Sequence, residues 1–288
     1  MKKMCAVLVV AMVAVACSPK VKTAVLKKDV GALGQSDAIV VIDEDKPAPS
    51  KGILVGRIRA ADTGFTVNCS YPEMIEHIRA KAKSVGANVI KISDWQKPNG
   101  WSTCDRISAD LYRVDNIGDY EAEIAWTPTR KLTWEDFKKA ENNYPSGSSA
   151  NAAAVSSCGI GVTSARKGLF SAQAFVVAVF YANDSWVRAD AKNPAVLIHE
   201  QAHFDLAELY ARKMRKVIKE AGKEGVLLAG AVHQRYYAEY VQRQTRYDME
   251  TQHGIDAEAQ QQWLTTIEQE LNDLKEHAWP SPENLATP

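Results

Sequence analysis

His199, Glu200 and His203 stand in the order His-Glu-x-x-His. Residues four apart on an α-helix share a face, with β-carbons about 5–6 Å apart. Two imidazoles so placed can both reach one ion at roughly 2.0–2.1 Å, the bond length zinc makes to histidine nitrogen. Glu200 is turned one residue round the helix, so its carboxylate flanks such an ion without ligating it. A general base for an activated water has to be there. The chemistry implied is hydrolysis of amide bonds with Zn2+ as cofactor, on a peptide, a protein or a cell-wall peptide.

The helix that must carry these residues is well marked. Asn193 is a suitable N-cap, and Pro194 falls on the first helical position, where a missing N–H is harmless. Val196, Leu197, Phe204, Ala207, Tyr210, Ala211, Met214 and Val217 then keep helical spacing to about Lys219. Zinc hydrolases of this kind commonly set the helix beneath an edge strand that holds the substrate backbone. Asp205, further along the helix, could orient a ligand or simply be a surface acid.

A catalytic zinc usually has three protein ligands and an open position. Downstream, His253, Glu250, Asp248 and His233 are the candidates for the third, with Asp248 and His233 the lesser two. Glu250 and His253 are three apart, so they share a helix face, and Gly254 is a natural helix stop. A donor for the developing oxyanion is also needed, and Tyr247, one turn before Glu250, could supply it. Trp126, Trp134 and Trp263 read as core anchors.

The stretch His199-Glu-Gln-Ala-His-Phe-Asp205 resembles the signature of the bacterial domain-of-unknown-function family nine hundred and twenty-two. Trp126-Thr-Pro-Thr-Arg-Lys-Leu-Thr-Trp-Glu-Asp-Phe137 and Tyr247-Asp-Met-Glu-Thr-Gln-His-Gly254 resemble it too, with Gln260 and Trp263 beyond. The resemblance spans most of residues 120–280 and implies a zincin-like fold with peptidase chemistry. On the family pattern His253 is preferred over Glu250 as third ligand, leaving the other to support it from behind.

The rest of the chain sets the context. Lys2 and Lys3 precede an unbroken apolar run, Ala6–Ala16. That run is shorter than the roughly 20 residues a spanning helix needs and reads as a secretory signal. With Ala14 and Ala16 before Cys17, it resembles a bacterial lipoprotein signal, Cys17 becoming the lipidated (palmitate-bearing) first residue. The chain is thus expected in the cell envelope, held to a membrane by a lipid anchor. Ser18 leans towards the outer membrane, facing the periplasm or the cell surface. Removing residues 1–16 takes two of the 35 basic residues and none of the 35 acidic, leaving a net charge of −2. So balanced a charge gives no footprint for nucleic acid.

Residues 17–50 read as a tether ending in Lys46, Pro47 and Pro49. A small α+β domain follows at 51–116, with strands at Gly52–Ala60, Val89–Ile92 and Ile107–Val114. Its helix runs Tyr71–Val85, started by Ser70 with Glu73 and stopped by Gly86. Its order, and the 86–92 stretch, resembles small cysteine-clipped domains of envelope lipoproteins, including stress-sensor lipoproteins of enteric bacteria. In an exported protein, Cys69 and Cys104 of this domain are the natural disulfide pair, leaving Cys158 a buried free thiol.

Residues 119–280 form the second domain. Strands are expected at Glu121–Trp126, Ala150–Ser164 and Ser171–Tyr181, with a helix start capped by Thr133 and a polar loop at Asn142–Ser149. From Asn193 to Trp279 the chain is mainly helical. Strands first and helices after argue for an α+β class rather than a doubly wound sheet. The same residues also allow a non-catalytic lipoprotein in which zinc merely ties helices together and the chain acts as an envelope binding or structural module. That case requires four protein ligands, whereas an enzyme requires one beyond the histidine pair and an open cleft.

Overall fold

The computed structural model describes residues 19–35, 37–62, 69–99, 101–140, 152–167 and 171–278. Cys17, the signal segment and the polar loop expected at Asn142–Ser149 lie outside the described residues. The chain is α+β, as expected, with its hydrophobic residues gathered into one large cluster in the second half and two in the first.

The first half is a five-stranded sheet backed by one helix. Its strands are β1 (Lys20–Val25), β2 (Val40–Ile42), β3 (Ile53–Ala61), β4 (Val89–Gln96) and β5 (Arg106–Arg113), in the order β1-β3-β5-β4-β2. Only the β2–β4 pair is parallel. Along β5, Ile107, Ala109 and Leu111 are buried and Ser108 and Asp110 are not, the alternation of a sheet covered on one face. The cover is α1 (Tyr71–Ser84), which buries Met74, Ile75, Ile78 and Ala82. Glu73 accepts from both the backbone N–H and the hydroxyl of Ser70, which fixes the helix start. Gly86 follows the helix at φ +79°, and a β-carbon there would meet the Gly31 carbonyl oxygen at 2.4 Å. The expected Cys69–Cys104 disulfide clips this unit.

The expected tether is corrected here. Lys20–Val25 pairs antiparallel with β3 over its whole length and Val40–Ile42 pairs with β4, so both are strands of the sheet. Apolar Val21 and Val41 pack against the same core as α1, which gives these residues a burial that a free linker lacks.

The second half carries β6 (Glu123–Ala125), β7 (Ala154–Val155), β8 (Cys158–Lys167), β9 (Ser171–Tyr181) and β10 (Trp186–Val187), then α2 (Pro194–Glu220), α3 (Gly222–Thr251) and α4 (Ala257–Asp273). The hairpin β8–β9 and β6 form one sheet with β9 central, and β7 pairs with β10. Phe180 of β9 packs on Phe204 of α2, which lays the helix along the sheet. Ala221 and Gly222 reverse the chain, so α3 returns antiparallel to α2, and α4 closes over both. Thr133 starts only the 3-10 turn Trp134–Asp136, where a longer helix was expected. The next two backbone N–H groups, of Lys138 and Lys139, instead bond the carbonyls of Ala182 and Ser185. Among the described residues no helix is long and apolar enough to cross a membrane.

Candidate metal centre

Asn193 Oδ1 accepts from the Val196 N–H at 3.1 Å with Pro194 in the first turn, so the helix begins where its sequence says it must. Six and ten residues on, His199 and His203 point their Nε2 atoms at one another, 3.3 Å apart. The antiparallel return of α3 brings the Asp248 carboxylate between them. Its Oδ1 lies 3.2 Å from His199 Nε2 and 3.0 Å from His203 Nε2. These three atoms form the one group of potential metal ligands found among the described residues.

Each histidine is held from behind in the same way. His199 Nδ1 donates to Gln260 Oε1 at 3.1 Å. The Gln260 amide donates to the Tyr247 hydroxyl at 2.6 Å, and that hydroxyl reaches the His199 carbonyl at 3.3 Å. His203 Nδ1 donates to Gln244 Oε1 at 2.7 Å. The Gln244 amide donates to the His203 carbonyl at 3.1 Å and to the Tyr240 hydroxyl at 2.7 Å. An acceptor opposite each Nδ1 places the ring proton there and leaves Nε2 free to bind. The sequence marks neither glutamine for this role. Gln260 entered only as part of a family resemblance, and Gln244 carried no signal at all.

The donor set fits a divalent cation. Three corners of a tetrahedron with bonds of about 2.0–2.1 Å are about 3.3–3.4 Å apart, close to the spacing found. Glu200 is 4% exposed, and its Oε2 has no hydrogen-bond partner. Neither Glu200 nor Asp248 has a Lys or Arg ion pair among the described residues. A buried carboxylate such as Glu200 is costly without a cation, and a dication beside it and the half-buried Asp248 removes the deficit. In the metal-free arrangement the site compensates internally. Burial raises the Asp248 carboxyl, but hydrogen bonds from His199 and His203 outweigh it and hold the group well below the usual carboxylate range. Burial likewise works against charge on His203, and the hydrogen bond to Asp248 with the nearby Glu200 carboxylate outweighs it, raising that imidazole.

Several expectations are corrected by this geometry. The third group is Asp248, not His253 or Glu250. Positions 248 and 250 lie on nearly opposite sides of a helix, and Glu250 turns outwards to Arg246 Nε at 2.6 Å and Trp263 Nε1 at 2.9 Å. His253 comes after α3 has ended, at φ +55°, with its side chain 77% exposed. Its Nδ1 is 3.7 Å from Asp248 Oδ1, beside the ligand group and outside it. Tyr247 is fully buried and stacked on His199, ring centroids 4.7 Å apart. Its hydroxyl is engaged by Gln260 and the His199 carbonyl, which ties it to the support of that imidazole, and burial pushes it well above the ordinary tyrosine value.

Asp205 accepts from Trp126 Nε1 at 2.6 Å and from Gln201 at 2.9 Å, which ties the 126–132 segment to α2 without touching a ligand. Trp126 and Trp263 are buried and Trp134 packs on the same core, as expected. His233 bonds the Ile160 carbonyl at 2.9 Å, far from ligand duty. Cys158 is a free thiol, raised by burial and by the nearby carboxylates of Glu200 and Asp205. The free edge of β8 is partly taken: the carbonyls of Cys158 and Ile160 accept from Tyr240 and His233 of α3.

Residues 183–254 match the model of a family described as a bacterial protein of unknown function (DUF922). The matched span contains His199, Glu200, His203, Gln244 and Asp248 and ends on Gly254, before Gln260. It is shorter than the 120–280 over which the sequence resemblance was read. Neither the curated proteins nor the solved structures gave a significant match.

Proposed function

We propose that this chain is an envelope-anchored, zinc-dependent hydrolase that cleaves amide bonds in peptides, proteins or cell-wall peptides. The observation that carries the reading is the convergence of His199 Nε2, His203 Nε2 and Asp248 Oδ1 beside a buried, unpartnered Glu200 oxygen. Three ligand groups, with Glu250 and His253 outside the set, is the count of a catalytic centre rather than a closed structural one. The signal-like Lys2–Ala16 segment followed by Cys17 supports the envelope anchor.

Zinc bound there supplies a Lewis acid that polarises the scissile carbonyl and acidifies water. Glu200 takes a proton from the attacking water as its oxygen bonds to the carbonyl carbon. The C–N bond then breaks, and Glu200 hands the proton to the departing amine nitrogen. Gln244 and Gln260 keep the two imidazoles in the binding tautomer throughout.

The test is metal analysis of the purified chain together with Glu200→Gln and Asp248→Ala. Wild type should carry about one zinc per chain and cleave a responsive peptide or cell-wall substrate. Glu200→Gln should keep the metal and lose about 10²–10⁴-fold in rate. Asp248→Ala should lose the metal. Absence of zinc from carefully prepared wild type would sink the proposal, and a zinc-loaded chain inert on peptide and cell-wall libraries would leave a structural metal centre.

A further inference from the structure

β1 begins at Lys20, three residues after Cys17. Three residues of chain span at most about 10 Å. On the lipid-anchor reading above, on which this inference rests, the acyl chains on Cys17 therefore hold edge strand β1 within reach of the headgroup layer. No long linker intervenes.

The register decides which face carries charge. Lys22 stands directly opposite Arg59, and Ala24 opposite Arg57, so these share one face with Lys20. Ile58 and Ala60 point the other way, into the core under α1. Lys20, Lys22, Arg57 and Arg59 are all exposed. Arg57 is paired with Asp110 at 3.2 Å, whereas Lys20, Lys22 and Arg59 have no ion pair among the described residues. Like charges directly opposite on a sheet repel and destabilise the pair. An anionic surface laid on this face adds an attraction to both cations that offsets their repulsion.

We propose that the open face of the N-terminal sheet, bearing Lys20, Lys22, Arg57 and Arg59, docks on the anionic phospholipid headgroups of the membrane that holds Cys17. Each basic residue near such a surface strengthens attachment about fivefold, so Lys22→Ala with Arg59→Ala lowers the docking equilibrium about 25-fold.

The experiment uses the processed, lipidated chain in vesicles of phosphatidylcholine alone or mixed with phosphatidylglycerol. A membrane-impermeant amine reagent reports exposure of Lys20 and Lys22, with exposed Lys223 at the α2–α3 junction as internal control. Mass analysis of the N-terminal peptide reads acylation of Cys17. The expected result is an acylated Cys17 and slower labelling of Lys20 and Lys22 in the anionic vesicles only. That protection disappears at high salt, and for Lys20 also in the Lys22→Ala, Arg59→Ala variant. Acylated Cys17 with equal labelling in both vesicles overturns the docking and spares the anchor. An unmodified Cys17 overturns the anchor and the docking with it.

Discussion

Gly254 lies against the side chain of His199: a β-carbon on it would stand 3.0 Å from that residue's Cβ and ring Cγ and 3.1 Å from Nδ1. The glycine sits at φ +82°, the last of three left-handed residues that bring the chain off α3 and towards α4. Gly254→Ala is therefore strained twice, in its backbone and against a proposed ligand whose Nδ1 must stay on Gln260. The expected outcome is a stability loss of more than about 1 kcal/mol. Zinc affinity should also fall by about 10–100-fold, the usual effect of disturbing a group that orients a ligand. Competition with a chromogenic chelator measures the affinity, and an unchanged value would contradict the account.

Gln244 and Gln260 should behave as a pair of equals, since each accepts from one Nδ1. Gln244→Leu removes the acceptor behind His203 and frees that ring to rotate or switch tautomer. A fall of about 10–100-fold in zinc affinity is expected, with the chain still folded. The Leu variant also leaves the buried Tyr240 hydroxyl without its amide donor, although its bond to the Cys158 carbonyl remains. Proton spectra of the His203 ring would show the tautomer directly. Retention of the neutral Nδ1-protonated ring in the zinc-free variant would rule this role out.

How much of this was legible depended on distance along the chain. The Asn193 cap, Pro194 and the His199–His203 spacing are local, and the helix forms as its sequence directs. Asp248 is not local: it reaches the site because the Ala221–Gly222 reversal lays α3 antiparallel to α2, and a sequence pattern carries no such register. The sequence ranks His253 and Glu250 above Asp248, and only the packing that buries Tyr247 decides that 248, and not 250, faces the pair. The missed strand was legible in part. Lys20-Val-Lys-Thr-Ala-Val25 alternates as a half-buried strand should. The prolines at 47 and 49 read instead as the end of a linker. Three-residue β2 offers no periodicity to read.

The disulfide should stabilise the first half alone. Cys69 and Cys104 are 35 residues apart, and closing a loop of that size removes about 3–4 kcal/mol of chain entropy from the unfolded state. The cysteines belong to a core cluster that shares no residue with the one around α2. Cys69→Ala with Cys104→Ala should therefore lower the denaturation midpoint of the N-terminal unit and leave zinc content unchanged. Simultaneous loss of zinc would show that the two halves unfold as one.

Asp105 supplies a pH signature away from the metal. Burial raises its carboxyl above the ordinary value of 3.8, against the opposing hydrogen bonds from Trp95 and the Tyr71 backbone. The Trp95 bond is 2.7 Å long. A raised folded-state value means that the native chain holds this proton more tightly than the unfolded chain. Its contribution to stability is then fullest below pH 3.8 and is lost as pH rises through the raised value. Asp105→Asn keeps an oxygen for Trp95 and removes the titration. Relative to the variant, wild type should lose stability as pH climbs from below 3.8 through the raised value, and the difference should then level off. Taking the difference between the two chains cancels zinc loss in acid, which both share. Denaturant midpoints of wild type and variant that run parallel across this range would show that Asp105 titrates as an ordinary surface carboxylate.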